Sequence, residues 1–183
     1  FYVCRITEGN EGGTVSQTFT VPKAGWYRLD CEGFYHNNTN TDTRLGELYA
    51  AVDGVKRPDD GSSTSKYAYV GFVSKESKET PGTAGSNGND GSITSMSEAG
   101  MAFFYKYYPT SVMFYAAAGK EVEIGVRLTQ KLSSSDYVCF DDFELKFLGD
   151  ELVLNENDTV INPHKDDNEY LRRTLLFVRK FTL

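Results

Sequence analysis

The residues best suited to chemistry lie in three places along this chain. The segment "FYHNNTNTDTR" gathers Tyr35, His36, Asn37, Asn38 and Arg44 in one polar loop after a strand-like run. Tyr67 and Tyr69 are two residues apart and so share one face of a strand, and Arg127 projects outward from another. Holding a sugar takes aromatic faces that stack on C–H surfaces and planar polar groups that bond hydroxyls. These residues supply both. The ordinary reading of the same residues is that the asparagines shape turns and the tyrosines pack a sheet.

Catalysis has less behind it. The two histidines, His36 and His164, lie in polar stretches, and the chain shows no serine elbow, H-E-x-x-H, phosphate-binding loop or dinucleotide turn. A glycosidase needs two carboxylates facing one bond. Asp141 and Asp142 are neighbours on a strand and point to opposite faces, while Asp59-Asp60 and Asp166-Asp167 lie in polar segments where solvation explains them. The expectation is a binding protein, not an enzyme.

Asp141 raises a separate question. In "YVCFDDFELKFLG", residues 137–149, period two groups Tyr137, Cys139, Asp141, Phe143, Leu145 and Phe147 on one face. Val138, Phe140, Asp142, Glu144 and Lys146 take the other. A carboxylate then stands on the face expected to be buried, where an unpaired charge is costly. An arginine, backbone N–H groups or a metal would each meet it.

The elements that must position these residues are mostly strands. The chain has 183 residues, 39% hydrophobic and 25% charged, which is one globular domain with no apolar run long enough to span a membrane. Seventeen glycines, twelve tyrosines and twelve phenylalanines point to strands and turns rather than helices. A net charge of −7 argues against nucleic acid and says little about neutral partners such as sugars. Cys4, Cys31 and Cys139 lack C-x-x-C spacing, so zinc is not expected. They read as buried free thiols, with one disulfide plus a free thiol as the alternative. The start at Phe1 without a methionine reads as a processed or excised piece.

Period-two runs follow one another. "FYVCRIT" opens the chain, and "TVSQTFTV" places Val15, Phe19 and Val21 opposite Thr14, Ser16, Thr18 and Thr20. After a turn at Pro22 and Gly25 comes a strand with Tyr27, Leu29, Cys31 and Tyr35 on one face. "LGELYAAVDG" and "KYAYVGFVS" are two more strands, and "SVMFYAAAGKEVEIGVRL" reads as a hairpin around Gly119-Lys120. One short helix is expected in "SMSEAGMAFFYKYYP", with Ser95 and Glu98 at capping-box spacing and Pro109 as its stop. The loop "KETPGTAGSNGNDGSITS" is polar and long. About eight short strands, long polar loops and one small helix predict an all-β fold, an antiparallel β-sandwich of jelly-roll type. Residues 1–150 form this domain. Residues 151–183 read as a linker and the first strand, "TLLFVRKFTL", of a following, truncated module, unless that strand completes the sandwich itself.

The order of these stretches resembles the galactose-binding-like jelly-roll modules of large secreted and cell-surface proteins of Bacteroidota. "TVSQTFTVPKAGWYRLDCEGFY" is similar to their early strand pair, "SVMFYAAAGKEVEIGVRL" to their isoleucine-glycine strand, and "YVCFDDFELKFLGD" to their closing strand. "LRRTLLFVRKFTL" resembles the start of the module that often follows. The likeness covers roughly residues 14–35 and 97–150 plus the tail. Asp142 departs from the usual asparagine, and Tyr137 stands near a usual tryptophan. The resemblance implies a non-catalytic carbohydrate-binding accessory module of a multidomain chain, secreted or on the outer-membrane exterior. Its partner would be a glycan or polysaccharide, with no nucleic acid and no direct membrane insertion by this fragment. It also implies a structural calcium held by Glu8, Glu11 and Asp141, with loop carbonyls completing the oxygens that calcium takes at roughly 2.3–2.6 Å. The alternatives are a structural or adhesive spacer that binds a protein partner and, behind it, a small glycoside-active enzyme.

Overall fold

The computed structural model describes residues 3–7, 13–38, 43–53, 67–75, 93–151, 153–154 and 160–161. Two sheets share one core. The first runs β1 (Cys4–Thr7), β9 (Tyr137–Gly149) and β3 (Gly25–His36). Along the far side of β3 lie β7 (Pro109–Ala116) and the short β6 (Val73–Ser74). The second runs β2 (Thr14–Thr20), β8 (Glu121–Leu128), β4 (Gly46–Val52) and β5 (Tyr67–Gly71). Every pairing is antiparallel except β3 with β6. A separate antiparallel pair, β10 (Val153–Leu154) with β11 (Val160–Ile161), follows the sandwich. The chain is thus an all-β antiparallel sandwich with one short helix, α1 (Met96–Phe104), among the described residues. None of the described helical segments is long and apolar enough to cross a membrane.

Alternation builds the core. In β7, Thr110, Val112, Phe114 and Ala116 are buried while Pro109, Ser111, Met113 and Tyr115 face out. In β8, Val122, Ile124, Val126 and Leu128 join Leu48, Ala50 and Val52 of β4, and these meet Tyr27, Leu29, Phe140 and Leu145 of the other sheet. The run "KYAYVGFVS", expected as one strand, instead divides at Phe72, which is buried between β5 and β6 where the chain passes from one sheet to the other. Its ring lies against Gly33, where a Cβ would come within 2.6 Å of the Phe72 Cζ. Only a glycine fits there.

Two further local expectations are overturned. The stretch around Gly119-Lys120 is not a hairpin: β7 pairs with β3, and β8 pairs with β2 and β4 in the opposite sheet. Both strands are amphipathic, so each needs only its apolar face on the shared core, and sequence adjacency does not oblige them to pair. The second correction concerns β9. Asp30 stands opposite Glu144 but Glu32 stands opposite Asp141, so Asp142 and Phe143 together face the single residue Cys31. This β-bulge, with Asp142 at φ 55°, reverses the alternation. Val138 and Phe140 face the core before it, and Phe143, Leu145 and Phe147 after it.

Asp141 therefore sits on the outer face with Cys139, across from Glu32, and is half-buried. Burial pushes its carboxyl above the usual range, while a hydrogen bond from the Asp142 backbone N–H opposes that. A backbone donor meets the charge.

The helix begins as its sequence indicates. The Ser95 hydroxyl accepts from Glu98 N–H at 3.2 Å, and Glu98 accepts from Ser95 N–H at 2.9 Å, so the capping box is complete. It ends before Pro109, which starts β7. Tyr105 caps it, Lys106 takes φ 58°, and the Lys106 ammonium meets Asp142 at 2.7 Å. Cys4, Cys31 and Cys139 are free thiols. Burial drives the Cys31 thiol well up and the Cys139 thiol to about 12, so neither is poised to react.

Candidate functional site

The outer face of the β2-β8-β4-β5 sheet concentrates polar and aromatic side chains in register. Arg127 stands opposite Glu47, which stands opposite Gly71. One step along, Ser16, Gly125, Tyr49 and Tyr69 line up across the four strands, and next come Thr18, Glu123, Ala51 and Tyr67. These rows exist because each strand alternates: Leu48, Ala50 and Val52 face the core, which sends Glu47, Tyr49 and Ala51 outward.

Contacts between the rows lock the inner part. The Tyr67 hydroxyl donates to Glu47 Oε1 at 3.0 Å and accepts from Arg127 Nη1 at 3.4 Å. The Tyr49 hydroxyl donates to Glu123 Oε1. The rings of Tyr49 and Tyr67 stack at 5.7 Å, and the Arg127 guanidinium lies 5.5 Å and 5.9 Å from their two centroids. Gly125 lets β2 approach closely, since a Cβ would press on the Ser16 Cα at 2.8 Å. Burial first, then the neighbouring carboxylates, push both tyrosine hydroxyls far above their ordinary range. They remain donors at any physiological pH.

The cluster is buried at its centre and open at its rim. Glu47 is only 3% exposed, yet Tyr69 is 51% exposed and its ring stands 5.6 Å from that of Tyr67. Arg44 is exposed too, with its aliphatic stem across Gly71, where a Cβ would come within 2.6 Å of Arg44 Cδ. An outside molecule meets the Tyr69 ring and the Arg44 guanidinium first. The carboxylates and Arg127 beneath hold the tyrosines in place.

Four of the residues singled out in the sequence, Arg44, Tyr67, Tyr69 and Arg127, meet on this face. The other four do not join them. The Tyr35 side chain packs into the core, and His36 lies beside Tyr137 at 5.1 Å on the other sheet. Asn37 donates to the Thr43 carbonyl at 3.2 Å, which shapes the loop. The Asn38 N–H donates to Asp136 at 2.9 Å, and Asp136 also accepts from Ser133 N–H at 2.8 Å, tying two loops together. Glu47, Tyr49 and Glu123 were not anticipated. Their places opposite apolar positions in two strands were visible, but not that the strands are neighbours. Glu8 and Glu11 lie outside the described residues, as do His164, Asp59-Asp60, Asp166-Asp167 and the "TLLFVRKFTL" tail. Among the described residues no three His, Cys, Asp or Glu side chains are grouped to hold a metal, and Asp141 has its backbone donor.

No family model, no curated protein and no solved structure matches this chain.

Proposed function

We propose that this protein is a non-catalytic carbohydrate-binding module of a larger secreted or cell-surface protein, built as a jelly roll of the galactose-binding-like kind. The strand orders support the jelly-roll reading. One sheet runs β1-β9-β3-β7 and the other β2-β8-β4-β5, so the chain alternates between sheets at nearly every connection. The observation that carries the binding reading is the exposed Tyr69 ring, backed by Tyr67 and flanked by Arg44. A pyranose stacks on Tyr69 while the Arg44 guanidinium donates to its hydroxyls, and the pinned layer below keeps the ring from moving when the sugar arrives.

Calorimetry of the purified chain against plant and host glycans tests this. A ligand is expected in the micromolar to millimolar range, with Tyr69→Ala and Arg44→Ala each weakening it by about tenfold. Product analysis after prolonged incubation should find the glycan uncleaved. If no glycan binds at millimolar concentration, the spacer reading replaces this one, and cleavage would move the protein into the enzymes.

A further inference from the structure

The first sheet also has an outer face, and the helix covers only half of it. Phe103, Ala99 and Ala102 of α1 pack over Phe34 and Cys139. On the other half, beside the start of β3, the end of β7 presents large side chains to solvent. Trp26 and Tyr115 face each other there, edge to face at 5.8 Å, with Tyr115 50% and Met113 40% exposed. Four residues along β3, roughly 13 Å at strand rise, Asp30 is the centre of a fixed polar group. Its carboxylate accepts from Ser111 Oγ at 2.6 Å, Lys146 Nζ at 2.9 Å and Arg28 Nε at 3.1 Å. Lys146 also meets Glu144 at 2.7 Å.

We propose that this half-face is a second glycan-binding surface, for an extended neutral glycan. The charge balance selects the occupant. The chain carries −7, yet Arg28 and Lys146 are matched here by Asp30 and Glu144 within one connected network. A charged partner would have to break those pairs. Sugar hydroxyls need not, because a paired carboxylate keeps lone pairs and a paired guanidinium keeps N–H groups to offer. The aromatic pair and the polar group are further apart than one pyranose is long, so a chain of several sugars spans them. The ring pair takes one end by stacking, and the Asp30 network takes hydroxyls at the other.

The inference rests on the same reading of the protein as a glycan binder, but it reports separately. Trp26 is the only tryptophan in the chain, so its emission senses this face and not the tyrosine face of the opposite sheet. The experiment titrates cellotetraose, xylotetraose, mannotetraose and a hyaluronan tetrasaccharide while recording tryptophan emission and, in parallel, calorimetric heat. At least one neutral tetrasaccharide should shift the emission saturably, and the hyaluronan should not. Tyr115→Ala should weaken that response by about tenfold, Met113→Ala less, and Tyr69→Ala not at all. Circular dichroism checks that each variant is folded, and Tyr115→Phe should keep the response. Heat that depends on Tyr69 without any emission change overturns this inference and spares the first site. An emission response equally strong for hyaluronan, or lost in Tyr69→Ala, also overturns it. The absence of both signals removes the two readings together.

Discussion

The two outer faces of the sandwich use the same residue types in opposite physical regimes. On the β2-β8-β4-β5 face, Glu47 is nearly inaccessible and is held by a tyrosine hydroxyl whose proton burial prevents from leaving. On the β9-β3-β7 face, Asp30, Arg28 and Lys146 make contacts of much the same length, yet each side chain remains partly in water. In the first case, removing one partner strands another in a place water does not reach. In the second, solvent and salt stand ready to replace what is lost. Contact distance alone is a poor guide to energetic weight.

The sharpest way to break this comparison is at Gly125. Any Cβ there collides with the β2 backbone, so Gly125→Ala should cost about 2–3 kcal/mol in a denaturant melt by parting β2 from β8. A neutral result would mean that the close approach is not needed.

Next comes Glu47→Ala. It leaves the Tyr67 hydroxyl, which Arg127 also meets, without its buried acceptor and should cost about 2 kcal/mol, a drop of several degrees in Tm, at low and high salt alike. Salt sensitivity would place this face in the same regime as the other.

Asp30→Asn should cost less than about 1 kcal/mol, and the loss should shrink as salt rises. Burial pushes the Asp30 carboxyl up, but the Ser111 hydrogen bond, Lys146 and Arg28 outweigh it and hold it below its ordinary value. Its contribution is therefore present above the unfolded pKa of about 4 and is lost as pH falls through the lower folded value. Melts from neutral pH into acid should show a decline in the parent that the variant lacks.

The smallest effect belongs to Asp141→Asn, and its sign is reversed. With its carboxyl held above the usual range, Asp141 favours the folded state only at low pH, and that benefit is lost as pH rises through the folded value. At neutral pH the variant should melt at the same temperature or up to about 2 °C higher. A clear fall would point to a partner for the charge beyond the Asp142 N–H.

Much of the architecture was legible because period and capping are local. Ser95 and Glu98 announced the start of α1 through two hydrogen bonds made within three residues. Val15 and Phe19 against Thr14 and Thr18 announced which side of β2 meets the core. Pro109 misled as a stop, because the helix had already ended in the turn at Lys106. The bulge at Asp142 misled more. One inserted residue moves every later side chain to the other face, and nothing in "FDDF" distinguishes a bulge from continued alternation.

The candidate site was half legible for the same reason. Tyr67, Tyr69 and Arg127 could be recognised as outward-facing from their own strands, but Glu47, Tyr49 and Glu123 looked like ordinary solvent-side positions. What makes them a cluster is that β4 lies between β8 and β5, more than fifty residues from β8 along the chain.

By itself, then, the sequence determined most of the strands, α1 and the side of most strands that is buried, because those follow from the spacing of apolar residues over a few positions. Which strands are neighbours, where the alternation slips, and which polar side chains share a buried pocket were decided only when two sheets closed on one core. A period-two strand is satisfied by any partner that covers its apolar face, and the choice among partners depends on packing the whole set at once.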